Sequence, residues 1–360
     1  MSIQRSLCIA VLIFTVLAAG GCGTVPIRKP LPEKYGDAAK VPGIPRAKFW
    51  GDEIPSFADP ILAEPREKVM QEFPGIFGVP HHYLALSGGG ANGAFGAGLL
   101  AGWSASGTRP EFTMVTGIST GALTAPFAFL GSAYDAQLKE MYTTYSTKDL
   151  LIKRSLLAAL TGTSAADTAP LRKVLARYVN PEVMAAIAAE HRRGRRLFIG
   201  TTNLDAKRSV IWNIGLIAAS GRPDALPLIH KIIVASASIP GAFPPMLIEV
   251  EADGKEYDEL HVDGGTASQV FLYPADLDWK LVIQNFDVKG TPKVYVIRNS
   301  FLQPDWETVK PKIIPIAGVS ISSLIRTQGI GDMYRIYLDC QRDGIDYNLA
   351  YIPEKFDLEP

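Results

Sequence analysis

Phe112-Thr113-Met114-Val115-Thr116-Gly117-Ile118-Ser119-Thr120-Gly121-Ala122-Leu123-Thr124-Ala125-Pro126-Phe127-Ala128-Phe129-Leu130 is the stretch on which the fold turns. Phe112 to Thr116 is a short apolar run of the length and composition of a buried strand. Gly117 to Gly121 interrupts it with small residues. Thr120 to Leu130 then reads as a helix, with Pro126 expected to kink it. Strand, tight turn and helix make half of a βα unit. G-x-S-x-G at such a junction suits a nucleophile elbow, a strained turn that lifts the Ser119 hydroxyl clear of the backbone. The helix behind it aims its positive end at any charge that develops there. The alternative is a plain turn in which Ser119 is only the helix N-cap.

Upstream, Tyr83 to Leu86 is a second buried-strand run, and Ala94 to Ser106 a small-residue helix. Ser87-Gly88-Gly89-Gly90-Ala91-Asn92-Gly93 joins them and contains G-x-G-x-x-G. A dinucleotide-binding turn of that form needs a carboxylate at the end of the next strand. No carboxylate lies between Phe112 and Ser132. The glycine-rich amides are therefore free to serve an oxyanion formed at Ser119. Downstream, helices are expected over Leu138–Tyr145, Asp149–Leu160, Pro170–Tyr178, Glu182–His191, Leu226–Ser236 and Val319–Tyr337. Strands are expected over Arg195–Thr202, Ser209–Asn213 and Lys293–Ile297. Met246–Val250 and Glu256–Val262 flank Asp253-Gly254, a hairpin signal. The rhythm predicts an α/β fold with a parallel sheet.

A serine hydroxyl needs a base. The five histidines are His81, His82, His191, His230 and His261, and none follows the later carboxylates. The order Ser, Asp, His fails unless His261 serves with an earlier acid. Asp263-Gly264-Gly265 offers another base. It ends the run Leu260 to Val262, and its glycines let it approach a neighbouring loop. His261 would share a strand face with Asp263 and could tune it, or could be a structural histidine at a strand end.

Three ordered motifs, the glycine loop, Gly117-Ile118-Ser119-Thr120-Gly121 and Asp263-Gly264-Gly265, together resemble the patatin-like phospholipases. Ser236 to Pro245 resembles the segment that precedes the aspartate in that family. The resemblance runs from about Tyr83 to Gln269. It implies a three-layer α/β/α fold and lipid acyl hydrolysis by a Ser119–Asp263 dyad, with no catalytic histidine. It implies an oxyanion hole of backbone N–H groups from Gly88, Gly89, Gly90 and Thr120. An acyltransferase, or a silent binding protein of the bacterial envelope, are the alternatives on the same scaffold. Asn92 departs from the family, which often carries Arg or Lys there, and Ser87 stands where Asp is frequent.

The N-terminus reads as an address. Arg5 precedes an apolar run, Leu7 to Ala19, too short to span a bilayer comfortably. Ala18-Ala19-Gly20-Gly21-Cys22 resembles a bacterial lipobox, which implies a signal peptide over 1–21, lipidation at Cys22 and an outer-membrane location. Residues 22–80 are proline-rich, and a tether and extended arm is expected, with Phe49, Trp50 and Phe57 packing on a catalytic domain over 81–360. Net charge is +0, so nothing points to nucleic acid. Three cysteines without C-x-x-C spacing argue against a disulfide framework or a zinc site. No cofactor or metal is expected. The expected partners are an acyl-ester substrate and a membrane surface. Arg192-Arg193-Gly194-Arg195-Arg196 could attract anionic headgroups or be a solvated helix end. Asn203 and Asp205 could lie near the cleft, and Cys340 reads as a buried small hydrophobe.

Overall fold

The computed structural model describes residues 28–58, 63–155, 162–304 and 306–354. Among these, nine strands form one sheet. They are β1 (Lys48–Trp50), β2 (His82–Leu86), β3 (Met114–Ile118), β4 (Arg196–Asn203), β5 (Arg208–Asn213), β6 (Met246–Ala252), β7 (Lys255–Asp263), β8 (Lys293–Arg298) and β9 (Asp346–Tyr351). The principal helices are α1 (Arg66–Glu72), α2 (Gly93–Ala105), α3 (Thr120–Leu130), α4 (Asp135–Thr144), α5 (Ala169–Tyr178), α6 (Pro181–Arg192), α7 (Ile214–Ala219), α8 (Ala225–Ser236), α9 (Trp279–Asn285) and α10 (Ile313–Asp343).

The sheet runs β1-β5-β4-β3-β2-β8-β9. From β4 to β9 every pairing is parallel. β5 and β1 extend it antiparallel. Parallel strands covered on both faces must be apolar on both, which is why β2 and β3 read as unbroken apolar runs. On one face α2, α3, α6, α7 and α8 bury Leu84, Leu86, Val115 and Ile199. On the other, α9 and the C-terminal half of α10 cover Tyr83, Ala85, Met114, Val294 and Val296 with Met333, Ile336 and Cys340. The molecule is thus the expected three-layer α/β/α sandwich, with a mostly parallel central sheet.

One pairing positions the site. β5 occupies one edge of β4 through Asn203. On the other edge, β3 pairs as far as Ile118↔Gly200, and β7 takes over at Thr201↔Asp263. β3 and β7 run in opposite directions, so their C-terminal ends meet head to head against consecutive residues of β4. The β6–β7 hairpin turns at Asp253 and Gly254, both at positive φ, as the Asp-Gly signal predicts.

Several expectations change. The proline-rich arm contributes a strand, because β1 pairs with β5, and a helix, because α1 fits between Pro65 and Pro74 with Pro65 at its N-cap. The helix expected over Asp149–Leu160 begins early and stops at once. Thr147–Leu150 is one capped turn, and Ile152–Lys153 then pairs with Ala166–Asp167. Residues 156–161 lie outside the described residues, as do the signal-like segment and Cys22. The basic cluster divides: Arg192 and Arg193 are exposed at the helix end, as expected, whereas Arg195 is built into the core. Arg195 is buried, donating to the carbonyl of Phe112 at 2.8 Å and to Glu190 at 2.9 Å. Arg196 lies over the Phe73 ring. Asn203 caps the β4–β5 turn through the N–H groups of Asp205 and Ala206, and Asp205 pairs with Arg28. α10 starts earlier and ends later than expected, closing on Gly344 in the left-handed conformation.

Candidate active site

Ser119 sits between β3 and α3 at φ 56° and ψ −122°. That conformation strains a residue with a side chain, by about 1–3 kcal/mol. The flanking glycines make the turn fit. A Cβ on Gly121 would strike the carbonyl of Leu86 at the end of β2. Ser236, the last residue of α8, pins the turn from below. Its hydroxyl accepts the Ser119 N–H at 2.9 Å and donates to the carbonyl of Gly200 at 2.6 Å.

Asp263 reaches Ser119 because both follow from adjacent positions on β4. The Ser119 hydroxyl donates to Asp263 Oδ2 at 2.7 Å. The Gly265 N–H donates to Oδ1 at 2.7 Å, and the Asp263 N–H donates to the Ser238 carbonyl at 2.9 Å. Both residues are buried. Burial pushes the Asp263 carboxyl up to about 6, against the two hydrogen bonds that favour its charged form.

The glycine loop lies opposite. The Ser87 hydroxyl donates to the Gly88 carbonyl at 2.7 Å and accepts the Asn299 N–H at 2.9 Å. The Asn299 side chain donates to the Ser87 carbonyl at 2.9 Å and accepts the Gly96 N–H at 3.0 Å. A Cβ on Gly89 would collide with the Asn299 carbonyl. Of the four amides expected to hold an oxyanion, that of Gly88 is committed to the Gln269 carbonyl at 3.2 Å. Those of Gly89, Gly90 and Thr120 have no protein acceptor among the described residues, and Gly90 is open to solvent. Thr120 heads α3, where the first amides have no intrahelical acceptor. Asn92 is half-buried and puts no cation beside the loop.

No histidine reaches this constellation. Both ring nitrogens of His261 are used elsewhere, Nδ1 with Thr201 Oγ1 at 2.9 Å and Nε2 with Glu259 at 3.1 Å. Burial lowers its pKa. His81 is held by Tyr83 and Ile76, and His230 by the Val179 carbonyl. The apolar cavity of about 200 Å³ beneath the arm, lined by Phe49, Phe57, Phe73 and Phe271, excludes Ser119, Asp263 and the glycine loop. What the site offers is a strained hydroxyl bonded to a buried carboxylate, beside open amides at a helix N-terminus. That combination can perform acyl transfer.

A family model described as patatin-like phospholipase matches residues 84–276. That span is more than half the chain and encloses Ser119, Asp263 and the glycine loop. The chain belongs to the patatin-like phospholipase family. VipD from Legionella pneumophila, known from a crystal structure, is 13% identical to it, with a TM-score of 0.38 over 62% of this chain and 50% of that one. The chain thus spans half of VipD's length. The curated proteins contain no significant match.

The candidate site also contains residues that sequence reading left without a role. Ser236 lies in the quoted segment ahead of the aspartate, but its hydroxyl contacts required the packing of α8 on β4. Asn299 follows β8, and a polar residue just past a parallel strand's C-terminal end is the one signal that marked it. Gln269 holds the Gly265 carbonyl at 2.6 Å and is itself held by Asp332 of α10, at 2.6 Å to its N–H. Tyr142 of α4 bonds Thr120 Oγ1 at 2.7 Å. Nothing in the local sequence singles out Tyr142 or Asp332.

Proposed function

We propose that this chain hydrolyses the acyl esters of lipids, as a phospholipase A or lysophospholipase, through a Ser119–Asp263 dyad. The observation that carries the reading is the 2.7 Å hydrogen bond between the hydroxyl of a strained elbow serine and a buried carboxylate. Ser119 Oγ attacks the ester carbonyl carbon while its proton passes to Asp263 Oδ2. The N–H groups of Gly89, Gly90 and Thr120 receive the oxyanion. Collapse breaks the ester C–O bond, and the leaving alcohol takes the proton from Asp263. Water then attacks the acyl-enzyme, giving its proton to Asp263. Collapse of the second tetrahedral intermediate breaks the acyl C–Oγ bond, Ser119 Oγ takes the proton back from Asp263, and the fatty acid leaves. The test is turnover of a phospholipid and of a water-soluble short-chain ester by wild type and Ser119→Ala. Equal rates would remove the dyad.

We also propose that the mature chain starts at a lipidated Cys22 in the outer membrane, on the strength of Ala18-Ala19-Gly20-Gly21-Cys22. Such an anchor would keep a lipid hydrolase at its substrate. Metabolic labelling with a clickable fatty acid tests it, and label retained in Cys22→Ala overturns it.

A further inference from the structure

α10 is two structures in one helix. Its C-terminal half belongs to the core. Gly329 packs on the Arg298 guanidinium, Asp332 receives the N–H of Gln269, and Met333, Ile336 and Cys340 are buried against the sheet. Its N-terminal half is largely exposed. No residue with a described side chain is buried between Ile313 and Gln328. Ile313 is 86% exposed and Leu324 70%, with Ile316 and Ile321 at least half exposed. From Ile313 to Ile325 the sequence carries no charged residue. Trp306, just before the helix, is 98% exposed.

The direction of this prong follows from topology. α10 connects β8 to β9, which are parallel neighbours. It must therefore run antiparallel to the strands and begin beyond their C-terminal ends, on the side of the sheet that carries Ser119. Gln328 donates to the carbonyl of Ala267, four residues past Asp263. From there to Ile313 the helix extends about 22 Å further at 1.5 Å per residue. An uncharged apolar rod thus stands at the rim of the candidate active site.

We propose that the Trp306–Ile325 prong docks this protein onto a lipid bilayer by entering its interface, which presents the catalytic face to lipid in the membrane. The proposal rests on the lipid-hydrolase reading for its purpose, though not for its geometry. Three observations select a bilayer over a protein partner. Residues 320–325 are all exposed, and the stripe of Pro315, Val319 and Arg326 is only half-buried, so the apolar side chains face outward over most of the helix circumference. A partner protein covers one stripe, whereas lipid surrounds what enters it. Lys310 and Lys312 precede the uncharged stretch and Arg326 ends it, while the two acids, Asp305 and Glu307, come earlier in the sequence on either side of Trp306. Cations framing an apolar segment complement anionic headgroups. A tryptophan at the boundary matches the residue preference of membrane interfaces. Among the described residues no helix is long and apolar enough to cross a membrane, so the prong lies at the interface and does not span it.

The test uses the full chain with vesicles of phosphatidylethanolamine and phosphatidylglycerol carrying a diazirine phospholipid. Trypsin cuts after Lys312 and Arg326 and so releases the prong as one peptide, Ile313–Arg326. Lipid adducts are expected on that peptide. Adducts confined to other peptides overturn the proposal, as does a dimer in sedimentation velocity that shields the peptide and leaves it unlabelled. The variant Ile316→Ser/Ile321→Ser/Leu324→Ser changes exposed positions only and should keep its fold. Its turnover of vesicle phospholipid should fall about tenfold or more. Its turnover of a water-soluble short-chain ester should stay within about twofold. Unchanged vesicle turnover overturns the proposal. If wild type cleaves neither ester while adducts still map to Ile313–Arg326, the dyad reading fails and the docking surface stands.

Discussion

Glu259 and Asp263 lie on one face of β7, four residues apart, and both are buried. They titrate in opposite directions. Burial raises Glu259, but the hydrogen bond from His261 and the charge of Lys48 outweigh it and hold the carboxyl below its ordinary value. Lys48 belongs to β1, so the proline-rich arm supplies that charge. Asp263 has only the Ser119 hydroxyl and the Gly265 N–H, and burial prevails. A buried carboxylate with a cation stays charged and becomes structural. One without a cation is poised near neutrality and can exchange a proton. Glu259 has the His261 hydrogen bond and the Lys48 charge where Asp263 has neither, and each site can be perturbed separately.

Asp263→Asn gives the largest expected effect on activity. Loss of the base should lower kcat/KM by about 10²- to 10⁴-fold. Stability should move the other way. An Asp with a folded pKa raised to about 6 contributes stability below its unfolded pKa, and loses it as pH rises through about 6. At pH 8 the amide therefore melts no lower than wild type. A variant that is both inactive and strongly destabilised would make Asp263 a structural residue like Glu259.

Glu259→Gln should reverse that pattern. It strands Lys48 in the interior, and breaking a buried pair costs about 3–5 kcal/mol. Denaturant unfolding measures this, and the double variant Lys48→Met/Glu259→Gln should recover part of it. Turnover per folded molecule should change little. The pH profile sharpens the comparison further. In wild type kcat/KM should fall toward tenfold per unit below about pH 6, as Asp263 takes a proton. Glu259→Gln should leave that midpoint where it is. A shifted midpoint would mean that the Lys48–Glu259–His261 network tunes the dyad, and the two regions would be one.

The smallest effect tests the glycine loop. Asn299→Ala removes one acceptor for Gly96 and one donor to Ser87. A drop of about 1–3 kcal/mol in stability follows from the unpaired groups. kcat/KM for a short-chain ester should fall roughly tenfold as the loop loses its fixed position, with KM little changed. Wild-type turnover in this variant would show that the loop amides need no side-chain support.

Much of this was legible along the chain. Buried strands announce themselves as short apolar runs when both faces are covered, which made β2, β3 and β8 readable. Glycine and serine spacing revealed the elbow because only small residues permit that turn. The arm was less legible. Its prolines concealed β1, whose pairing depends on an exposed edge of β5 that no local pattern encodes. The arginine cluster was half legible: Arg192 and Arg193 meet water, but charge density gave no sign that Arg195 would meet buried carbonyls.

By itself the sequence determined the fold class, the elbow at Ser119, the glycine loop and the candidacy of Asp263, since each is set by local backbone requirements or by residue type. Only the tertiary structure decided that β3 and β7 end against neighbouring residues of β4, which brings Ser119 and Asp263 to 2.7 Å. It alone separated the two carboxylates of β7, because a pKa depends on what surrounds a group in space and not on its neighbours in the chain. It alone left half of α10 standing uncovered beside the site, since exposure follows from where the sheet ends.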